Sequence, residues 1–229
     1  RRCLMQVLIE ALDDPDAEPC GRCSTCTGTL PGPGAAPSDS GMAAALEFLQ
    51  RRRHDLEPRK LWPKSVSRRG RISAAGPGRA VCFANDPAWP HLVTELSSPD
   101  AAPSKELIDA VCSLLGQWRP ERPDVIVPVP VLGQEQRTAG LAQQLSERFG
   151  IPVADRFTWT GPPVPAALSS SVHVQHVERQ LTFAGDPVNG RVLLLAATGR
   201  SLWTTTVAAA LLRESGANEV LPLVVHRLP

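Results

Sequence analysis

The sequence lacks tyrosine altogether and has only three lysines and two methionines among its 229 residues. It contains no apolar run of the length that crosses a bilayer, about 18 residues or more, so we expect no membrane partner. The apolar stretch near the N-terminus is followed at once by acids and cysteines, without a small-residue cleavage site, so a secretory signal peptide is not predicted. An initiator methionine is also missing, and we expect the chain to be a piece of a longer cytoplasmic protein.

The sequence also has little net charge and lacks the phosphate-binding motif of ATPase motors. The net charge is only +1, so the composition as a whole does not indicate a polyanionic partner. The segment from Arg51 to Arg79, however, holds ten Lys and Arg residues against two acids, and its charge of +8 leaves the other 200 residues at −7. The G-x4-G-K-[ST] phosphate loop of ATPase motors is absent. We therefore expect a local anionic partner but no motor within these residues.

The pattern of apolar residues changes along the chain. Thr27 to Gly41 is rich in Pro, Gly and Ser and is predicted to be a linker. Later, apolar runs such as Asp124–Pro130 and Arg191–Ala197 alternate with amphipathic segments, which predicts a parallel α/β sheet. A strand is predicted at Pro152–Ala154, and the stretch that follows it to Asn189 is expected to be irregular. The predicted protein is multi-domain α/β, with a helical unit at 1–30, a small basic module at 31–80 and a parallel-sheet domain at 81–229.

Four of the six cysteines lie close to the N-terminus: Cys3, Cys20, Cys23 and Cys26. The C-x2-C-x2-C spacing delivers three thiolates to one place, and a helix that begins at Cys3 can fold back to supply the fourth. Four thiolates suit tetrahedral zinc. Two disulfides are the alternative, but the chain shows no secretory features, and Cys82 and Cys112 stand singly in apolar surroundings like reduced thiols. The pattern predicts a structural zinc ion.

The C-x16-C-x2-C-x2-C arrangement, which ends in EPCGRCSTC, resembles the zinc-binding subdomain that follows the motor lobes of RecQ-family DNA helicases. The resemblance covers about Arg1 to Gly28. It implies a parent chain with ATPase motor lobes upstream, associated with the nucleoid and acting in DNA repair or recombination. Taken with the C-terminal half, the chain resembles the RecQ-like helicases of actinobacteria (the RqlH type), in which a phosphoribosyltransferase-like domain closes the chain.

Beside a helicase zinc unit, the basic segment is expected to contact DNA phosphates, with little base preference. A small helical domain with a glycine-containing loop fits a winged-helix-like module, in which Trp62 would pack or stack beside a base. The alternative is a solvated basic face. The predicted DNA-contact residues are Arg51, Arg52, Arg53, Arg59, Lys60, Lys64, Arg68, Arg69 and Arg71.

The C-terminal half resembles the phosphoribosyltransferase fold, most closely its ComF branch. The similarity is carried by PDVIVPVP (Pro123–Pro130), RTAGLAQQL (Arg137–Leu145), GRVLLLAATGRSLWTT (Gly190–Thr205) and ESGANEV (Glu214–Val220). The resemblance implies an active site with two adjacent acids at the end of a strand, which bind the ribose hydroxyls of the phosphoribosyl donor. A Thr- and Gly-rich loop at the next helix N-terminus would hold the 5′-phosphate.

This sequence departs from the family pattern at that site. Ala196 and Ala197 stand in place of the acids, and an alanine cannot accept a hydroxyl hydrogen bond or support a magnesium ion. Leu202 and Trp203 are expected to fill the space that a phosphate needs, although Thr198–Ser201 could form a shifted anion nest. The degenerate site is predicted to comprise Ala196, Ala197, Arg200, Ser201 and Trp203, and no residue is nominated as catalytic.

His173 and His176 form an H-x2-H pair near Glu178, which is expected to be solvated surface in an irregular loop rather than a metal site. Three functions stay open. The expected one is the non-motor C-terminal region of an ATP-dependent RecQ-like DNA helicase, with structural zinc and DNA binding. The alternatives are a phosphoribosyltransferase of nucleotide metabolism and a protein-docking module on an inactive transferase fold.

Overall fold

The computed structural model of the protein describes residues 2–14, 16–30, 36–52, 54–165 and 169–229. Arg53, one of the predicted DNA-contact residues, lies outside this part of the chain. The chain divides into two compact units, Arg1–Arg51 and Arg52–Pro229. None of the described helices is long and apolar enough to cross a membrane.

The first unit consists of three helices, α1 (Leu4–Glu10), α2 (Ser24–Thr27) and α3 (Asp39–Gln50). Ser38 caps α3, because its Oγ accepts the main-chain N–H of Gly41 at 3.1 Å. Among the described residues of this unit, only Cys3 is buried. The described part of this unit therefore has almost no hydrophobic core of its own.

The second unit contains five helices and seven strands in the described residues. Its helices are α4 (Pro90–Ser97), α5 (Lys105–Trp118), α6 (Glu135–Phe149), α7 (Ser170–Gln180) and α8 (Trp203–Glu214). Its strands are β1 (His54–Leu56), β2 (Gly78–Phe83), β3 (Val125–Pro128), β4 (Phe157–Trp159), β5 (Leu181–Phe183), β6 (Gly190–Gly199) and β7 (Ala217–Arg227).

Five of the strands form one sheet in the order β1-β2-β7-β6-β3. β1 is antiparallel to β2, and all other neighbours in this sheet are parallel. The long apolar strands β6 and β7 lie in the middle, where helices cover both faces, so their sequences need no polar face. β4 and β5 form a separate antiparallel ribbon.

Two hydrophobic clusters cover the opposite faces of the main sheet. Alternate residues of β6 point into them, with Leu194 in the first cluster and Leu193 in the second. α8 packs on the first cluster through residues such as Val207, whereas α6 packs on the second through Leu141. This arrangement confirms the mixed α/β class with a predominantly parallel sheet.

The structure corrects two predicted elements. The stretch before Asn189 is not irregular, because it holds β4, α7 and β5. The helical signal of α7, an apolar spacing at Val174 and Val177, is short and easily overlooked. The predicted strand Pro152–Ala154 is reduced to an isolated bridge between Val153 and Ile126.

The predicted boundaries of the basic module also differ from the structure. The described residues of 31–80 are divided between the two units: α3 belongs to the first, whereas β1 and β2 are strands of the main sheet. Leu56, Val66 and Ile72 are buried in the first hydrophobic cluster of that sheet. Most of the basic segment is therefore attached to the α/β unit.

Candidate metal centre, basic surface and crevice

The four N-terminal cysteines form a compact cluster. Their Sγ atoms all lie within 4.8 Å of one another, and those of Cys3 and Cys23 are 3.8 Å apart. A tetrahedral zinc ion with Zn–S bonds of about 2.3 Å holds its sulfur ligands about 3.8 Å from each other. A disulfide would bring two sulfurs to about 2.05 Å, and all six cysteines of the chain are free. The cluster fits one tetrahedral metal ion such as zinc.

Short turns bring these sulfurs together. The Sγ of Cys3, at the start of α1, accepts main-chain N–H groups from Gln6 at 3.5 Å and Cys20 at 3.3 Å. Gly21 and Gly28 have φ angles of +68° and +72°, which glycine adopts without steric cost, and they turn the chain on the two sides of α2. The local sequence thus provides both the thiols and the turns that bring their sulfur atoms together.

The electrostatics of the cluster favour thiolates at Cys3 and Cys23. Main-chain N–H groups of Leu4 and Cys26 lower the pKa of Cys23 to about 6, and that of Cys20 contributes most to lowering the pKa of Cys3. The pKa of Cys26 is raised to about 12, because the sulfurs of Cys23 and Cys3 lie beside it. A divalent cation held by all four sulfurs would remove this repulsion between thiolates.

Residues 60–72 form a narrow loop on the second unit, which we call the basic loop. Leu61 and Arg71 face each other across an antiparallel bridge. The main-chain N–H of Trp62 donates to the carbonyl oxygen of Gly70 at 3.1 Å, and the buried side chain of Val66 anchors the tip. The loop is therefore a fixed feature of the surface.

Two of the predicted DNA-contact residues make internal contacts instead. Arg59 donates to the carbonyl oxygen of Ser201 at 2.7 and 3.2 Å, and its guanidinium carbon lies 5.1 Å from the ring centroid of Trp203. Trp203 stacks on Trp62 with centroids 5.9 Å apart, and the guanidinium of Arg68 lies 5.6 Å from the centroid of Trp62. This ladder of cation–π and aromatic contacts fastens the basic loop to the start of α8.

Arg68 is fixed further by two acids. Its guanidinium pairs with both carboxylate oxygens of Glu214 at 2.6 and 2.9 Å and lies 3.5 Å from Glu178. Trp62 lies between Arg68 and Trp203 in these stacked contacts.

The remaining described members of the predicted DNA-contact set are exposed, and Arg51 among them pairs with Glu47. These exposed residues are Arg51, Arg52, Lys60, Lys64, Arg69 and Arg71.

A crevice opens at the carboxyl ends of β3 and β6. These strands are neighbours in the sheet, but the helices that follow them, α6 and α8, lie on opposite faces. Ligands of open α/β sheets bind at such switch points. A cavity of about 190 Å³ lies here, lined by the segments that leave the two strands. Among its lining residues are Val129, Val131, Ala196, Thr198, Ser201 and Leu202.

Ala196 and Ala197, which were predicted to stand in place of two acids, are both buried, with 1% of each exposed. Because they are consecutive in a strand, their side chains point to opposite faces of the sheet. Ala196 joins the first hydrophobic cluster and lines the crevice, whereas Ala197 belongs to the second cluster. Arg200 is exposed and donates to the carbonyl oxygen of Pro229 at 2.9 Å. Of the two alanines, therefore, only Ala196 lines the cavity.

Trp203 does not fill the crevice, contrary to expectation. It belongs to the first hydrophobic cluster, and its indole Nε1 donates to Ser170 Oγ at 2.6 Å. Leu202 does line the cavity, and its φ of +60° turns the chain into α8. Trp203 is thus stacked on Trp62 and is not among the residues that line the cavity.

The prediction that His173 and His176 lie in an irregular, solvated loop is wrong. Both are on α7, and His173 is only 9% exposed, with its Nε2 3.1 Å from Ser201 Oγ. His176 instead lies 2.6 Å from the amide nitrogen of Gln180. The four cysteines are the only group of metal-ligating side chains found among the described residues. No spacing in the sequence signals the contact between His173 and Ser201, which are 28 residues apart.

No protein-family model matches this sequence, and no curated protein matches it. Similar solved structures include a purine phosphoribosyltransferase from Pyrococcus horikoshii, with 18% identity, 53% of this chain and 80% of that chain covered, and a TM-score of 0.35. An adenine phosphoribosyltransferase from Leishmania tarentolae has 13% identity, coverages of 65% and 91%, and a TM-score of 0.39. An allosteric regulatory enzyme of purine biosynthesis has 21% identity, coverages of 52% and 25%, and a TM-score of 0.36. These similarities go no further than the α/β fold.

Proposed function

We propose that the chain is the non-motor C-terminal region of an ATP-dependent RecQ-like DNA helicase, in which structural zinc and a basic surface serve DNA binding. The observation that supports this most is the four-cysteine cluster, whose sulfur atoms all lie within 4.8 Å of one another. A unit in which only Cys3 is buried among the described residues suits a module that folds around a metal. The motor lobes would lie upstream in the parent chain, and the protein would be associated with the nucleoid.

The basic loop is the proposed DNA contact. Lys60, Lys64, Arg69 and Arg71 are exposed and close together along the loop. Arg69 and Arg71 also line an open cleft together with Arg213 of α8. Because the stacking ladder fixes the loop, little of its backbone freedom remains to be lost on binding. Contacts of this kind reach phosphates rather than base edges, so weak sequence preference is expected.

We expect duplex and tailed DNA to bind with a log affinity that falls linearly with log salt concentration. If about four phosphates are neutralised, the slope is about −3.6, and each lost contact reduces it by about 0.9. The triple charge reversal Lys60→Glu, Lys64→Glu and Arg69→Glu should therefore bring the slope to about −0.9 or weaker. The slope is measured by fluorescence anisotropy with a labelled duplex at salt concentrations from about 50 to about 200 mM.

A matched control reverses three exposed cations elsewhere on the same unit: Lys105→Glu, Arg119→Glu and Arg148→Glu. This variant has the same net charge as the first, so a general charge effect would weaken both equally. The proposal requires the control to keep most of its salt slope. If both variants lost the salt slope of DNA binding equally, the basic loop would be only a solvated face.

We further propose that the crevice lacks transferase activity. Ala196 provides no acceptor for a ribose hydroxyl, and each missing hydrogen bond to a charged or polyhydroxyl ligand costs about 1.5–3 kcal/mol. Phosphoribosyl pyrophosphate with magnesium is therefore expected to bind several factors of ten more weakly than to an active enzyme, outside the micromolar range. Isothermal titration calorimetry measures this directly. Micromolar binding would favour the alternative function, a phosphoribosyltransferase of nucleotide metabolism.

A further inference from the structure

Ser201 and His173 form a pair at the wall of the crevice that DNA binding does not use. Ser201 Oγ and His173 Nε2 are 3.1 Å apart, and both side chains line the 190 Å³ cavity. A hydroxyl within hydrogen-bond reach of an imidazole is the arrangement by which serine is activated as a nucleophile. The pair joins the loop after β6 to α7, so it exists only in the folded unit.

The surroundings of His173 suit a proton acceptor. Burial lowers its pKa below the usual range, and the neighbouring His176 and Arg59 lower it further. The imidazole is therefore neutral at pH 7 and can accept a proton at Nε2. Arg59 donates to the carbonyl oxygen of Ser201, which also holds the serine main chain in place.

We propose that Ser201 and His173 act as a nucleophile and general base that cleave small carboxylic esters in the crevice. The cavity walls are largely apolar, which suits an acyl chain, and its volume limits that chain to a short one. Thr204 and Thr205 of the first turn of α8 also line the cavity, so the positive end of the helix faces the developing oxyanion. The apolar walls include Val129, Val131, Trp159, Val164 and Leu202.

The reaction proceeds in two balanced steps. Ser201 Oγ forms a bond to the ester carbonyl carbon while its proton passes to His173 Nε2. The bond from that carbon to the alcohol oxygen then breaks, and the imidazolium returns the proton to the leaving alcohol. In the second step, water attacks the acyl-serine, gives its proton to Nε2 and releases the carboxylic acid, while Ser201 Oγ regains a proton. Water is the only co-reactant.

A fluorophosphonate reagent tests the proposal on the full chain, with hydrolysis of p-nitrophenyl acetate as a second readout. We expect one adduct per chain, located on the Ser201 peptide by mass spectrometry, and none in Ser201→Ala. His173→Gln keeps a hydrogen-bonding side chain beside Ser201 but cannot act as the base. It should slow labelling and hydrolysis about 100-fold, within the range of general-base catalysis, while the melting temperature stays unchanged.

The matched controls are Ser113→Ala and His91→Gln, which alter exposed residues of α5 and α4 and should label at the rate of the unaltered chain. Absence of an adduct, an adduct on another serine, or equal labelling of His173→Gln would overturn the proposal. In those cases the contact between Ser201 and His173 would be structural only. None of these outcomes bears on DNA binding, which the salt slope tests separately.

Discussion

Replacing Cys20 by serine, or removing metal with a strong chelator, is expected to unfold residues 1–51 while the second unit keeps its fold. The first unit has no buried apolar residue besides Cys3 among those described, and Leu4 and Leu8 of α1 are more than half exposed. Helices this short are marginal in water without tertiary contacts. A structural zinc site contributes about 10–16 kcal/mol to the folding of small units at neutral pH. Loss of the metal should therefore remove nearly all of the stability of this unit.

Elemental analysis should find one zinc ion per chain, and the Cys20→Ser variant should have little or none. Limited proteolysis is then expected to cleave within residues 1–51 of the variant and leave residues 52–229 intact. Cys112→Ser is the control, because this half-buried thiol of α5 lies in the second unit, outside the cluster, and should leave the zinc content unchanged. Purified chain without metal, or with disulfides among the four cysteines, would contradict the zinc assignment.

Replacing Arg137 by alanine is expected to lower the free energy of unfolding of the second unit by about 3–5 kcal/mol. Only 2% of this arginine at the start of α6 is exposed. Its guanidinium lies 3.7 Å from Glu95 and 3.8 Å from Asp100, donates to the carbonyl oxygen of Pro99 at 3.0 Å and bonds to Gln134. Removing the guanidinium takes the nearby positive charge away from the two partly buried carboxylates, and an uncompensated buried charge is costly.

The same network connects three helices, so the loss of unfolding free energy in Arg137→Ala should be large. Asp100 accepts the main-chain N–H groups of Gln136 and Arg137 at the first turn of α6, and Glu95 of α4 accepts from Ser104 at the cap of α5. For a unit of this size, the expected loss corresponds to a melting temperature lower by roughly 6–20 °C. Differential scanning calorimetry or urea denaturation measures it.

Arg148→Ala provides the comparison on the same helix. Arg148 is exposed and lies 3.5 Å from Asp109, so its pair should contribute less than about 1 kcal/mol. Arg137→Lys keeps the charge but loses the fork of donors, and an intermediate loss is expected. If Arg137→Ala is as stable as Arg148→Ala, the buried network does not hold the three helices together.

Much of the local structure could be predicted from the sequence. The apolar runs predict β3 and β6, because strands buried on both faces need no polar side. The spacing of Cys20, Cys23 and Cys26 predicts their convergence, since a tight turn leaves the sulfurs few other directions. Ser38 as a cap and Gly150 after α6 follow from local hydrogen bonding and φ preference. The sequence was less informative for β4 and β5, whose three-residue strands depend on their pairing.

The direction of individual side chains was decided by tertiary structure. The sequence presents Arg59 and Arg68 as two more cations of a basic segment, but the fold stacks them on Trp203 and Trp62 and leaves both half-buried.

By itself, the sequence determined the convergence of Cys20, Cys23 and Cys26 and the apolar central strands, because these depend on neighbours within a few residues. The tertiary structure alone decided where Trp203 packs, how Arg137 is buried and that His173 meets Ser201. Those contacts join segments that come together only when the helices pack on the folded sheet, α8 on one face and α6 on the other.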